Sequence, residues 1–314
     1  MSKVSLKGST LMLWFKNAIV YQFSKEMLFN QEQLENALRK MAFTPCGSQD
    51  LTKLGWISPY GDKNEHYVLA VEGHFLIRAK KERKMLPASV IKQALQVKIE
   101  KLEKAQQRKL KKIEKEALKD EVLIDLLPRA FSQYRYYWLW IDTENQRIIA
   151  DASSYKQAED IITLLRKSVG SLPLTPWHYD TPLERLLTKW VKNNSHLPPF
   201  ILGDEAELKD PLEGNGIIRC KQQELTTEEI IIHIDSGKQI TKLKLIQEET
   251  ISFILQSDMT IKRIQYDPIL LDKNEDIDRA DVEKRLEADF FIQNNTLINT
   301  LNNLYDIVKL LDIK

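Results

Sequence analysis

The longest helical pattern in the chain opens at Pro87 and Ser89, both helix-start residues, and runs to about Leu127, where Pro128 stops it. At about 100° per residue, Ile91, Leu95, Ile99, Leu102, Gln106, Leu110, Ile113 and Ala117 share one stripe, so that face is expected to pack against protein. Lys104, Arg108, Lys111, Lys115 and Lys119 form a second stripe about 200° away, facing outward. Glu103, Glu114 and Glu121 collect on a flank between the two. The basic line is about 22 Å long at 1.5 Å per residue, and a duplex presents a phosphate charge every ~1.7 Å of its axis. A solvated amphipathic helix, a strand of a coiled coil and a phosphate-facing surface all fit this pattern. Like charges stacked along one line cost stability, which favours a partner that relieves the repulsion.

The net charge of +1 conceals the same asymmetry. Residues 78 to 120 hold 15 Lys plus Arg against 6 Asp plus Glu, leaving 31 against 39 elsewhere. Such segregation points to one focused positive face rather than general stickiness toward polyanions. RAKKERKM contributes Arg78, Lys80, Lys81, Arg83 and Lys84 just before the helical pattern, and Lys101 and Lys112 lie within it. No DNA-reading module accompanies them, so contact with phosphate without base readout is expected.

The rest of the chain reads as one globular protein. Its 314 residues are 43% hydrophobic, with only 10 Gly and 11 Pro. The longest strongly apolar run is Tyr136 to Ile141, far short of the roughly 20 residues of a membrane span, and no signal peptide is visible. Cys46 and Cys220 stand alone and are expected to be reduced, buried thiols, which places the protein in the cytoplasm. Strands are expected over 11–23, over 66–81 with a turn at Gly73, over 136–142 and 147–152 as a hairpin, and as a meander over 242–266. Helices are expected over 32–41, 155–169 and from about Asp278 to Leu311, with an optional break at Gln293 to Asn295. This mixture predicts an α+β fold with largely antiparallel sheets, interleaved helices and one long basic helical segment.

The usual signatures of nucleotide binding and hydrolysis are absent, and the histidines occur singly. Residues 272–283 place Asp272, Asn274, Asp276, Asp278 and Glu283 at calcium-loop positions, but Ile277 occupies the position that requires Gly, so a helix cap at Asp278 is the preferred reading. DEAEL (204–208) with Asp210 and Glu213 is read as a solvated helix face rather than a metal-assisted nuclease centre. No catalytic residue, metal or cofactor is expected.

Ordered blocks along nearly the whole chain carry a family resemblance: LWFKN (13–17), MAFTPCGSQDLTKLGW (41–56), LPASVIKQAL (86–95), RKLKKIEKEALKDEVLIDLLPRAF (108–131), LLRKSVGSLP (164–173), IIRCKQQELTTEEI (217–230) and NEDIDRADVEKRLEADF (274–290). In these the chain resembles the RdgC recombination-associated proteins of proteobacteria. The resemblance implies a ring-shaped homodimer that encloses duplex DNA without sequence specificity, with single strands left open. It further implies a non-enzymatic, nucleoid-associated protein that limits access of the RecA recombinase. Members begin near MLWFKN, so residues 1–11 are expected to be a disordered extension. The remaining parts are 12–86, an N-terminal α+β part; 87–131, a basic arm with a closure loop; and 132–314, a C-terminal α+β part packed with the first. A two-fold ring needs two isologous contacts. Leu127, Pro128 and Phe131 are the residues chosen for one closure, against the alternative of a loop anchor within one subunit. Arg129 beside them, and Arg219, Lys221, Gln222 and Gln223 in RCKQQEL, complete the candidate DNA contacts. The alternative function is a structural protein docking an acidic partner through the basic helix.

Overall fold

The computed structural model describes residues 13–61, 64–211, 216–274, 276–278 and 281–313. The expected extension at 1–11 lies outside them. Two antiparallel sheets organise the chain. The first holds β1 (Ile19–Phe23), β2 (Thr52–Ile57), β3 (Val68–Val71), β4 (His74–Met85), β5 (Phe131–Asp142), β6 (Arg147–Ala150) and β7 (Leu174–Pro176), in the order β2-β4-β5-β6-β1-β7 with β3 also on β4. The second holds β8 (Ile201–Lys209), β9 (Ile217–Lys221), β10 (Gln239–Gln247), β11 (Ile251–Gln256) and β12 (Ile261–Tyr266), in the order β12-β11-β10-β8-β9. The helices among the described residues are α1 (Gln31–Arg39), α2 (Ala88–Gln106), α3 (Lys112–Leu126), α4 (Tyr155–Val169), α5 (Leu183–Lys192), α6 (Glu228–Asp235), α7 (Pro268–Leu271) and α8 (Val282–Ile313). The α+β architecture with antiparallel sheets is therefore the one expected.

Strand alternation divides the first sheet between two cores. Ile77, Leu139 and Ile148 point to α1 and α4, meeting Leu34, Leu38, Ile161 and Leu165. Their neighbours Leu76, Trp140 and Ile149 point the other way, into a core that includes Phe290 of α8. Burial on both faces is why the stretch from Tyr137 to Ile141 reads as a continuous apolar run instead of an alternating one. That second core continues across α5 and α8 to Leu243, Leu245 and Phe253 of the second sheet.

The expected strand at 11–23 begins only at Ile19. Residues before it combine a few backbone bonds to β12, such as the Ile264 N–H to the Lys16 carbonyl, with side-chain ties: the Phe15 N–H donates to Gln293 Oε1 at 2.6 Å, and the Lys16 and Asn17 N–H groups donate to Asp151 Oδ1 at 3.3 and 3.0 Å. Ala18 then bridges to Ile261 and joins the two sheets. α8 runs unbroken through the break expected at Gln293 to Asn295, and the buried Gln293 there accepts the Phe15 N–H. At the helix start it is Asp281, not Asp278, whose carboxylate accepts the Lys284 N–H.

The long basic segment is helical but folded on itself. α2 ends where Gln107 takes a left-handed φ of 50°, and α3 restarts at Lys112. Two side chains hold the turn, with Glu103 accepting the Leu110 N–H at 3.0 Å and Glu114 the Lys111 N–H at 2.7 Å. Folding back buries Ile99, Leu110 and Leu118 against Leu95 and Leu102, a small core separate from the other two. A straight helix would have left that seam in water. The turn also resets the phase of the stripe, so Ile113, expected inside, is 79% exposed, and Leu118 and Val122 are buried instead.

Candidate nucleic-acid interface

The α2–α3 hairpin is an insertion between β4 and β5, which pair from Phe75↔Ile141 to Met85↔Phe131. Its charges are not the single outward line that the helical period suggests. Arg108 forms a bidentate pair with Glu114, at 3.0 and 2.5 Å. Lys109 and Lys115 reach Glu103 at 3.1 and 3.8 Å, and Lys98 reaches Asp125 at 2.6 Å. Hydrogen bonds from Arg108 and from the Lys111 N–H hold the Glu114 carboxyl at about 2. The acidic flank thus neutralises part of the basic line across the turn. Lys101, Lys104, Lys112 and Lys119 are exposed, and among the described residues no carboxylate lies within ion-pair distance of them. Lys111 and Arg129 are exposed as well.

The basic stretch before the hairpin is not an approach to a helix but the outer half of β4. Strand alternation splits it: Lys81 and Arg83 fall on the face toward α4, where Lys81 bonds Asp160 at 2.5 Å. Arg78, Lys80 and Lys84 fall on the opposite face, opposite Trp138, Tyr136 and Ser132 of β5. There the Arg78 guanidinium lies 4.7 Å from the ring centres of both Tyr136 and Trp138. Lys80 lies 4.9 Å from Phe43 and 4.7 Å from Tyr134. Phe43 reaches this face because Gly55, opposite Lys80 in the ladder, has no side chain: a Cβ there would sit 2.4 Å from the Phe43 Cα. The one acid on this part of β4, Glu82, is buried and bonded to the Ser132 hydroxyl and the Cys46 N–H, which lower its carboxyl below the usual range. Of the two thiols expected to be buried, Cys220 is, whereas Cys46 is partly exposed.

The third group lies on the second sheet. Arg219 and Lys221 of β9 line a groove of about 320 Å³ with Lys242, Lys262 and Arg263, residues separate in sequence that only the sheet order brings together. DEAEL is not a helix face but β8, and its carboxylates are held by neighbouring cations: Asp204 by Lys244 at 2.7 Å, Glu205 by Arg263, and Glu207 by Arg219 at 2.9 Å and Lys242 at 3.1 Å. Burial works against ionisation of Glu207, but the hydrogen bonds from Arg219 and Lys242 outweigh it and hold the carboxyl at about 2. Gln222 has a left-handed φ of 53° after the strand, and Gln223 turns to Glu229 at 3.1 Å. Among the described residues no three His, Cys, Asp or Glu side chains converge as metal ligands.

The residues chosen for closure separate by burial. Leu127 is 5% exposed and anchors the turn, Pro128 is exposed, and Phe131 is 85% exposed at the last rung of the β4–β5 ladder. Other large apolar side chains on or beside the arm, Met85, Val90, Val97 and Ile124, are also exposed. No helix among the described residues is long and apolar enough to cross a membrane.

Comparison with known proteins places these features in a family. A family model described as "Putative exonuclease, RdgC" matches residues 13–311. The recombination-associated protein RdgC of Serratia proteamaculans is 50% identical over 292 residues, covering 93% of this chain and 96% of that protein. The proteins of the same name from Edwardsiella ictaluri and Yersinia pestis are each 50% identical, over 93% and 94% of this chain and 97% of theirs. With the match spanning both sheets and the α2–α3 arm, the chain belongs to the RdgC family.

Proposed function

We propose that this protein binds DNA without sequence preference as a homodimeric ring, and that by occupying DNA it limits access of the RecA recombinase. The observation that carries the reading is the α2–α3 arm with its exposed, unneutralised Lys101, Lys104, Lys112 and Lys119, on a chain that is net negative outside residues 78–120. Phosphate is the ligand that matches such a surface, because neutralising it releases condensed counterions. The link to recombination comes from the names of the relatives. The second-sheet groove with Arg219 and Lys221 is a further backbone contact, and Phe131 with the arm's exposed apolar side chains supplies one closure between protomers. In this reading 12–86 and 132–314 form the body, 87–131 is the contacting arm, and the protein works in the cytoplasm on the nucleoid.

The family description includes an exonuclease, but binding is the better reading of this chain. The β8 carboxylates that would be the first choice for holding a metal are committed to Lys244, Arg263, Arg219 and Lys242. A gel-shift series with unrelated duplexes, run with and without magnesium, tests the proposal. Equal affinity across sequences, steep salt dependence and intact DNA are expected. Shortened DNA in the presence of magnesium would favour the nuclease, and failure to shift any DNA would favour an acidic protein as the partner of the arm.

A further inference from the structure

The groove on the second sheet differs from the arm in one respect: its cations come with acids built among them. Glu207 of β8 is in register with Arg219 of β9 on one side and Lys242 of β10 on the other, so its carboxylate sits between two cross-strand cations. It bonds Arg219 at 2.9 Å and Lys242 at 3.1 Å, and Lys209 lies 3.5 Å away. Two residues back along β8, on the same face, Glu205 pairs with Arg263, which reaches it from β12. We propose that Glu205 and Glu207 set the strength of DNA binding in this groove, by competing with backbone phosphate for the cations that would hold it. This rests on the DNA-binding reading above and deepens it at the groove, by naming the residues that limit the contact.

Burial fixes the order of the layers. The Glu207 side chain is 5% exposed, whereas that of Arg219 is 66% exposed and those of Lys209 and Lys242 are partly exposed. The acid is therefore covered by its cations, and a phosphate entering the groove meets the cations first. A carboxylate in that position has two effects. It lets cations on neighbouring strands stand close together, where like charges alone would repel. It also dilutes them: a protein cation gains affinity by replacing the mobile ions condensed on DNA, and one offset by a fixed carboxylate replaces fewer of them. Arg219, Lys221, Lys242, Lys262 and Arg263 line the groove against Glu205 and Glu207, so its excess is three positive charges instead of five. The arm's Lys101, Lys104, Lys112 and Lys119 have no such offset among the described residues. The arm thus grips phosphate with full charges, and the groove touches it with diluted ones.

The test is a salt titration of duplex affinity by fluorescence anisotropy on the full-length protein, comparing wild type with Glu205→Gln, Glu207→Gln and, as a control, Glu32→Gln. Each amide keeps the size of the side chain and an acceptor oxygen while removing one negative charge. Glu32 is exposed in the first turn of α1, which packs on the first sheet, away from the groove. Each groove variant should steepen the slope of log affinity against log salt by about 0.9 for each protomer engaged, a gain of about 5-fold per contact at ~0.15 M salt. Glu32→Gln adds the same charge and should leave the slope where it was. An unchanged slope in both groove variants would overturn the inference, as would equal steepening in Glu32→Gln, which would assign the effect to net charge alone. Weaker binding by Glu205→Gln at an unchanged melting temperature would also overturn it, showing that this carboxylate supports the contact by holding Arg263. If Glu207→Gln unfolds because its cations lose a buried partner, Glu205→Gln, at a side chain 21% exposed, decides alone. Wild type that binds no duplex would instead defeat the underlying reading.

Discussion

The arm makes a quantitative prediction that separates its free cations from its paired ones. Removing one phosphate contact from a duplex complex reduces the slope of log affinity against log salt by about 0.9. Replacing Lys101, Lys104, Lys112 and Lys119 by Gln removes four exposed cations without carboxylate partners and should flatten the slope by up to about 3.6 for each protomer engaged. The control, Arg108→Gln with Glu114→Gln, removes a bidentate pair. The net charge is unchanged, the amide oxygen introduced by Glu114→Gln still accepts the Lys111 N–H, and the slope should stay where it was. The measurement is a salt titration of duplex affinity by anisotropy, with sizing chromatography to hold the oligomeric state fixed. An unchanged slope in the quadruple variant would remove the arm as the phosphate track. Equal flattening in the paired control would show that Arg108 leaves Glu114 on binding, so that isolated ion pairs do not identify the contacts.

Two further outcomes follow from particular side chains. Phe131→Ser should open the ring at this contact, leaving a dimer joined through its other contact that no longer stays on closed circular DNA, with little change in the melting temperature of the subunit, because a ring 85% exposed contributes little to its own fold; a dimer that still encircles closed DNA would exclude this closure. Asp151→Asn should stabilise the protein above neutral pH. Burial raises the Asp151 carboxyl to about 6, opposed by the N–H groups of Asn17 and Lys16, so the folded state holds this proton more tightly than the unfolded chain. Stability from the group is therefore present at low pH and lost as pH rises from about 4 through 6, a loss approaching ~3 kcal/mol at ~1.4 kcal/mol per unit. Both N–H groups reach the same oxygen, which Asn retains, so the variant should gain at pH 8 and show no gain near pH 4 in urea unfolding; a pH-independent difference would refute the cause.

What was legible in the sequence was periodicity, and what was hidden was contact. The hairpin of β5 and β6, α4 and the meander of β10 to β12 follow from alternation and spacing that local residues set. The break at Gln107 carries no Gly or Pro and is stabilised by Glu103 and Glu114 only after the chain has turned, so a pattern of apolar steps runs straight through it. The same blindness put Arg108 and Lys115, which pair across that turn, into a single outward basic line. RAKKERKM looked like one basic patch because composition ignores strand period, which sends Lys81 to Asp160 and Lys80 to Tyr134 and Tyr136. DEAEL looked acidic because its cations arrive from β9, β10 and β12, distant in sequence.

The position of the arm has a mechanical consequence. Its own small cluster is Ile99, Leu110 and Leu118, and both of its ends join the backbone ladder of β4 and β5. The ladder carries the aromatic row on one face and ends at the Met85↔Phe131 rung. In the proposed ring, DNA contact by the arm and closure at Phe131 would therefore act on one two-stranded ribbon. A contact at Phe131 would stiffen the ribbon that carries Lys101, Lys104, Lys112 and Lys119. Closure should then favour DNA contact by the arm, and the reverse, because the ordering cost of the ribbon is met only once.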